Sequence, residues 1–181
     1  MIRVFFILVF LTNISFSQND RDPILWNENY PLSWSDFKAK PNQNTSAAAL
    51  TASGISFGFS IGKTGTRVTK FTTEVECFFY PYESWFKPQT ADDYILKHEQ
   101  VHFDITELHA RKFRQQISQL KPSQNLKAKL NSMYKAISQA SRKMQTAYDD
   151  ETDHSINKER QAYWEKYVEI ELKKLEAYKS R

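Results

Sequence analysis

The residues best suited to chemistry are two histidines and a glutamate in the run His98-Glu99-Gln100-Val101-His102. This run lies within Tyr94–Ile105, a stretch without Gly or Pro that favours one uninterrupted helix. On a helix, residues four apart lie on nearly the same face one turn apart, so both imidazoles can reach one ion. Glu99 would then act on a metal-bound water rather than bind the metal. This H-E-x-x-H pattern is typical of zinc metallopeptidases.

The two histidines predict only part of a zinc site, because catalytic zinc needs a third protein ligand. If the helix continues, Glu107 points about 180° away from His98, which favours a surface or outer-shell position. His109 shares the face of the pair but lies roughly 10 Å further along the axis than His102. The candidates that follow His102 are Asp104, Glu107, His109, Asp149, Asp150, Glu151, Asp153 and His154.

The polar segment Tyr148–His154 is the better source of the third ligand. It stands between two predicted helices that can fold back and bring it over the first helix. We predict His154 as the third ligand, with Asp153, Asp150 and Glu151 as alternatives; a carboxylate would bring the site closer to the thermolysin pattern. Without a metal, the same segment would be a solvated acidic turn followed by a capped helix start.

The first half of the chain, about 20–88, is rich in aromatic and β-branched residues and is interrupted by Gly, Pro and Asn. Leu50–Ile61 and Thr66–Tyr80 alternate loosely and flank the turn Gly62-Lys63-Thr64-Gly65, which predicts a hairpin or a small twisted sheet. The candidate inward positions are Ile55, Phe57, Phe59, Ile61, Val68, Phe71, Val75, Cys77 and Phe79.

The second half of the chain predicts three helices, at about 91–118, from Ser123 to about 147, and at about 155–178. The second has an apolar seam at steps of four and three, and the third has a stripe of large apolar residues. The seam comprises Leu126, Leu130, Met133, Ile137, Ala140, Met144 and Ala147, and the stripe comprises Trp164, Val168, Leu172 and Leu175.

The first seventeen residues are typical of an export signal, with Arg3, an apolar run Val4–Leu11, and Ser15-Phe16-Ser17 before Gln18. We therefore expect one domain, residues 18–181, in the periplasm or outside the cell. No membrane-spanning segment is expected after signal removal, because the apolar run is too short to cross a bilayer. A formal charge of +4 without a basic cluster argues against nucleic-acid binding, and the single Cys77 excludes an internal disulfide.

Several motifs together resemble a bacterial family of predicted secreted zinc-dependent proteases, domain of unknown function nine-two-two. They are the helix Leu96–Lys112, the W-x-D-F element Leu32–Phe37, Ser84-Trp85, and the segment Tyr148–His154, which matches Y-D-x-x-T-x-H. The resemblance covers about Pro31–Trp164. Where the family usually has Gly after the last His, this chain has Ser155. The resemblance implies a zincin-like α+β fold, with a small antiparallel or mixed N-terminal sheet beside the H-E-x-x-H helix and two long C-terminal helices.

The resulting hypothesis is an exported zinc peptidase in which His98, His102 and His154 bind Zn²⁺ and Glu99 is the general base. Tyr148 or Tyr163, or else His109, would stabilise the oxyanion. A peptide or protein substrate would add as a strand to the sheet edge at Leu50–Ile61. Two other hypotheses remain open: a non-catalytic envelope binding protein with a structural or vestigial metal site, and a zinc amidase acting on a non-protein substrate.

Overall fold

The computed structural model describes residues 22–180, so the predicted export signal at 1–17 lies outside the described residues. In chain order the elements are β1 (Ile24–Leu25), a 3-10 helix (Trp34–Asp36), β2 (Ala49–Leu50), β3 (Ser53–Thr64), β4 (Arg67–Phe79), β5 (Trp85–Phe86), α1 (Asp93–Ser118), α2 (Leu126–Thr152), α3 (Lys158–Lys174) and a 3-10 helix (Glu176–Tyr178). The fold is α+β, with a small antiparallel sheet and three helices. No helix of this part of the chain combines the length and apolarity that crossing a bilayer requires.

The predicted hairpin is confirmed as β3 and β4, which form one three-stranded sheet with β1 in the order β1-β4-β3. The predicted turn is displaced, because Gly62–Thr64 still belongs to β3 and the chain reverses at Gly65, where φ is +59°. The register shifts between Gly62 and Lys63. This bulge breaks the alternation of side chains, so that Val68 and Phe71, three positions apart, join the same apolar cluster.

Helix α1 is the centre of the fold, because the sheet and both other helices pack on it. Phe103 contributes to the cluster under the sheet with Phe79 and Cys77, while Val101 and Ile105 face the other helices. The early W-x-D-F element closes the first cluster: Trp34 stacks on Phe86 with ring centroids 4.6 Å apart, and Phe37 meets Phe79 edge-on.

Helix α2 is longer than its sequence predicts, and this corrects the interpretation of Tyr148–His154 as a linker. The seam that begins with Leu126, Leu130 and Ile137 continues through buried positions at Tyr148 and Thr152. These two side chains have no access to solvent, and their burial extends the helix across a run of polar residues. Helix α3 begins only at Lys158, after Asn157, whose side chain accepts a hydrogen bond from the Arg160 N–H.

Glu107 is buried rather than at the surface, which corrects a second prediction. Glu107 lies on the face of α1 opposite His98, as predicted. The C-terminal segment that includes Tyr178 and Ser180 covers this face. Arg111 Nε lies 3.0 Å and Arg114 Nη1 3.1 Å from Glu107 Oε1, and the Ser180 hydroxyl lies 3.2 Å from Oε2. A buried carboxylate is tolerated only with such compensation, because unpaired burial of a charge is costly.

Asp104 ties the N-terminal segment to α1. Its Oδ1 accepts hydrogen bonds from Trp26 Nε1 at 2.8 Å and from Gln100 Nε2 at 2.9 Å. Gln100 in turn accepts a hydrogen bond from the Leu32 N–H at 2.7 Å. Burial raises the pKa of Asp104 to about 6, against the opposing effect of these two donors. The folded chain therefore holds a proton on Asp104 more tightly than the unfolded chain does.

This pKa predicts a pH dependence of stability that Asp104→Asn removes. An unfolded Asp has a pKa of about 3.9, so between pH of about 4 and 6 the folded state binds more protons and stability falls as pH rises. Relative to the variant, the wild-type protein should lose on the order of 2 kcal/mol of unfolding free energy over this window. Urea unfolding at several pH values measures the difference. The substitution Asp150→Asn, at an exposed position, is the control, and its unfolding free energy should depend on pH as that of the wild type does. If Asp104→Asn shows the same pH dependence as wild type, the raised pKa of Asp104 is not its source.

Candidate metal centre

Three ligand atoms converge where the middle of α1 meets the end of α2. The Nε2 atoms of His98 and His102 lie 3.2 Å apart. Asp149 Oδ1 lies 3.0 Å from His102 Nε2 and 3.3 Å from His98 Nε2. Among the described residues, these three form the group able to share a metal ion.

The spacing of these atoms suits a zinc ion. Zinc binds imidazole nitrogen and carboxylate oxygen at about 2.0–2.2 Å, so two ligand atoms at tetrahedral corners lie about 3.3–3.5 Å apart. The three observed separations are 3.0, 3.2 and 3.3 Å, a few tenths of an ångström short of that range at most. Two imidazoles and one carboxylate are also a donor set that catalytic zinc uses. The residues present therefore fit the ion.

Helix packing accounts for this convergence. His98 and His102 are one turn apart on α1, and α2 runs antiparallel to α1, with Asp149 near its C-terminal end. Tyr148, fully buried, stacks on the His98 ring with centroids 4.5 Å apart and an interplanar angle of 22°. Its hydroxyl points to the His98 carbonyl at 3.4 Å. The same residue thus anchors the end of α2 and fixes the plane of one imidazole.

The electrostatics of the cluster keep Asp149 available as an anionic ligand. Burial alone would raise the pKa of Asp149, but hydrogen bonds with His102 and His98 outweigh burial and hold this pKa well below its usual range. Burial alone would lower the pKa of His102, but its hydrogen bond to Asp149 and the charge of Glu99 raise it overall. A divalent cation bound here would compensate the charge of these carboxylates, and its binding would displace any proton from the two Nε2 atoms.

Glu99 is the second carboxylate, after Asp149, in the cleft that the two histidines line. Its side chain is buried, with 4% of the residue exposed, and it lines the same cleft as the histidines. Its Oε2 has no hydrogen-bond partner in residues 22–180. Because a buried carboxylate oxygen without a partner is costly, native structures rarely keep one away from functional sites. Glu99 is therefore free to accept a proton from a molecule that enters the cleft.

The cleft over these residues has a volume of about 470 Å³. Its floor is α1, with His98, Glu99 and His102, and one wall is the extended segment Ala47–Ser53. Thr51 joins wall to floor by donating a hydrogen bond to the Glu99 carbonyl at 3.3 Å. Apart from its histidines, the lining contains no basic side chain.

The wall is held in place from behind by the Ser84-Trp85 motif. Ser84 Oγ accepts a hydrogen bond from the Ala52 N–H and donates one to the Tyr80 carbonyl, both at 2.9 Å. Leu50 pairs with Trp85 in the two-stranded sheet of β2 and β5. The side of β2 that faces away from β5 carries no further strand in the described chain.

His154, the predicted third ligand, lies at the mouth of the cleft rather than between the two histidines. Its side chain is 72% exposed, with Nδ1 3.8 Å from Asp149 Oδ1. The backbone N–H of His154 donates a hydrogen bond to the Asp149 carbonyl at 3.0 Å. Asp153, His154 and Ser155 have φ of 48°, 51° and 76°, a left-handed conformation that costs a non-glycine residue about 1 kcal/mol or more.

The three alternative ligands, Asp150, Glu151 and Asp153, do not join His98 and His102 in the group of converging ligand atoms. Asp150 and Glu151 are exposed, and Glu151 is engaged by the Arg160 guanidinium and by Trp164 Nε1 at 2.9 Å. Asp153 is exposed and ends α2 with a left-handed backbone. Asp149 lay among the wider sequence candidates but outside the preferred ones. No local pattern in the sequence favours Asp149, because the burial of the adjacent Tyr148 is seen only in the folded chain.

The predicted oxyanion donors do not line the cleft. The Tyr148 hydroxyl is directed at a backbone carbonyl, and Tyr163 is 54% exposed on α3, where it stacks on Tyr167. His109 is buried, with Nδ1 2.8 Å from the Ile105 carbonyl. Tyr80 does line the cleft, from the end of β4, and no spacing in the sequence signals it.

Comparison with known proteins places the chain in a family without assigning it an activity. No curated protein and no solved structure gives a significant match. A family model described as "Bacterial protein of unknown function (DUF922)" matches residues 33–155, which is more than half of the chain. The match includes the H-E-x-x-H helix, the wall of the cleft, and Asp149 and His154 on its far side. The chain belongs to this DUF922 family of bacterial proteins.

Proposed function

We propose that this protein is an exported, zincin-like zinc peptidase. In this proposal His98, His102 and Asp149 hold Zn²⁺, and Glu99 is the general base. The observation that carries it is the convergence of three ligand atoms, 3.0 to 3.3 Å apart, in a cleft that Glu99 also lines, with a buried Oε2 that has no hydrogen-bond partner among residues 22–180. Export is proposed from the signal-like residues 1–17.

Asp149 is proposed as the third ligand because it already lies within 3.3 Å of both ring nitrogens. His154, the ligand predicted from sequence, is kept as the alternative. Its ring lies next to Asp149 at the mouth of the cleft, and an exposed side chain can rotate at little cost. Substitution of each residue separates the two possibilities.

A zinc ion bound here would lower the pKa of a water molecule and polarise a substrate carbonyl. Glu99, which lines the cleft and whose Oε2 has no hydrogen-bond partner among residues 22–180, would accept the proton of the attacking water and then deliver it to the leaving amine. Tyr80 and His154, which line the cleft, are better placed than Tyr148 or Tyr163 to donate a hydrogen bond to the oxyanion.

The proposed substrate is a peptide in extended conformation. The backbone N–H of Lys87 donates a hydrogen bond to the Ala48 carbonyl, and Leu50 pairs with Trp85. In an antiparallel pair the backbone groups of alternate residues face the partner strand. The N–H and C=O groups of Ala49 and Thr51 therefore face away from β5. Both residues line the cleft. An extended peptide could therefore pair with this edge and lie across the three ligands. The edge proposed here is β2 and the segment after it, rather than the whole of Leu50–Ile61, because among the residues of β3 only Ser53 lines the cleft.

Metal content tests the ligand set. After zinc loading and exhaustive dialysis, the wild-type chain should hold one zinc by elemental mass spectrometry. His102→Ala and Asp149→Asn should weaken zinc binding by more than about 100-fold, since even outer-shell changes cost 10- to 100-fold. Asp150→Asn, the adjacent exposed carboxylate, is the matched control and should bind as wild type does.

Comparison of Asp149→Asn with His154→Ala decides the third ligand. If His154→Ala loses zinc and Asp149→Asn retains it, the sequence-based choice is right and the role proposed here for Asp149 is wrong. Retention of zinc by His102→Ala would contradict the whole centre.

Glu99→Gln tests the enzymatic step. The amide keeps the volume of the carboxylate but cannot accept the proton, so kcat for peptide cleavage should fall by roughly 10²- to 10⁴-fold while zinc content stays unchanged. Cleavage of an unfolded protein, followed by mass spectrometry of the fragments, provides the assay. The exposed Glu159→Gln on α3 is the control.

Cleavage by Glu99→Gln at the wild-type rate would remove Glu99 as the base. A zinc-loaded wild-type protein that cleaves no peptide would favour the binding-protein or amidase hypotheses instead.

A further inference from the structure

The second ring nitrogen of His102 is held by Gln145, a residue that the sequence did not single out. Gln145 Oε1 lies 2.6 Å from His102 Nδ1. The amide nitrogen of the same side chain lies 2.8 Å from the His102 carbonyl oxygen and 3.1 Å from Thr106 Oγ1. Gln145 therefore contacts both the ring and the backbone of one histidine.

The identity of these groups fixes the direction of the amide. A backbone carbonyl can only accept hydrogen bonds, so the Gln145 NH₂ group must face the His102 carbonyl. A reversed amide would set two acceptor oxygens against each other at 2.8 Å. Oε1 therefore faces the ring, and because this oxygen also only accepts, His102 Nδ1 must carry a hydrogen.

From this geometry we infer that Gln145 is a positioning residue that keeps the proton of His102 on Nδ1 and leaves the Nε2 lone pair to the metal. The part that concerns the metal rests on the proposed function. The part that concerns the proton does not, since Gln145 Oε1 holds a hydrogen on Nδ1 whether or not Nε2, which faces Asp149 Oδ1 at 3.0 Å, carries a second hydrogen. Metal-binding histidines generally need such a partner on the other nitrogen to set the tautomer and the ring plane.

The surroundings of Gln145 make it a rigid support. The Thr106 hydroxyl is buried, lies 3.2 Å from the His102 carbonyl, and is 2.7 Å from the hydroxyl of Ser53 on β3. The amide is thus connected to both α1 and the sheet. On α2, Gln145 and Asp149 are four residues apart, as His98 and His102 are on α1. Helix α2 therefore presents the supporting amide of Gln145 and the ligand Asp149 to the two imidazoles of α1.

His98 has no equivalent support, which makes Gln145 the specific determinant. His98 Nδ1 is buried and has no hydrogen-bond partner among residues 22–180. Its ring is positioned by stacking on Tyr148 instead. Loss of Gln145 would leave His102 free to place its proton on Nε2, where Asp149 Oδ1 competes for it at 3.0 Å.

Long-range ¹⁵N–¹H NMR of the metal-free full chain reads the tautomer directly, without zinc or activity. With the ring neutral, His102 should carry its proton on Nδ1. In Gln145→Met, which keeps the length of the side chain but accepts no strong hydrogen bond, a large fraction of His102 should carry it on Nε2.

Zinc affinity is the second readout. Gln145→Met should bind zinc 10- to 100-fold more weakly than wild type, about the loss that outer-shell partners show elsewhere. The exposed Gln139→Met on the same helix is the control and should not change affinity. A wild-type His102 protonated only on Nε2 would overturn the inference even if the variants failed to fold, and so would unchanged zinc affinity in Gln145→Met.

The two proposals can fail separately. If His102 is protonated on Nδ1 but the chain binds no zinc, the proposed function fails and the assignment of Gln145 to the proton of His102 stands. If zinc binds and Gln145→Met has no effect on tautomer or affinity, the function stands and the role of Gln145 is lost.

Discussion

The structure depends on the antiparallel docking of the end of α2 against the middle of α1. This contact brings Asp149 to within 3.3 Å of two imidazoles, and no local feature of either helix could do so alone. Tyr148 is the anchor, because its ring is fully buried against His98, His102 and Trp164. A slip of one residue along α2 would rotate Asp149 by about 100° and remove it from the histidines. The apolar seam therefore sets the geometry of the polar cluster.

The cluster is costly to the fold. Glu99 Oε2 and His98 Nδ1 are buried without hydrogen-bond partners in the described part of the chain, and Asp153, His154 and Ser155 have left-handed backbones at the cleft mouth. Each of these features costs on the order of 1 kcal/mol or more. By contrast, the equally buried Glu107 is paired with Arg111 and Arg114. The buried carboxylate that only supports the fold thus has charged partners, whereas the buried polar atoms at the cleft have none in residues 22–180. This difference is expected of a functional site.

Much of this arrangement follows from local sequence signals. The Gly-free helix and the hairpin of β3 and β4 are short-range patterns, and both are found as predicted apart from the displaced turn and the bulge near it. The end of α2 was missed because Asp149, Asp150 and Glu151 are polar and typical of a turn. Only the burial of Tyr148 and Thr152, a tertiary effect, extends the helix through them.

Other parts of the site are not encoded in any local pattern. Gln145 lies on a helix among several glutamines and serines, and only its distance to His102 distinguishes it. Tyr80 lines the cleft from the end of β4, and Ser84 supports the cleft wall from behind next to β2 and β5, two-residue strands without a periodicity of their own. Glu107 was assigned outward because the helix alone does not reveal which element covers its far side. These residues become visible only when the chain is folded.

The most direct test of the account is a crystal structure of the zinc-loaded chain with anomalous diffraction at the zinc edge. The account predicts one strong anomalous peak about 2.0 to 2.2 Å from His98 Nε2, His102 Nε2 and Asp149 Oδ1. A peak bound elsewhere on the chain, or none between the two imidazoles at full zinc loading, would contradict it.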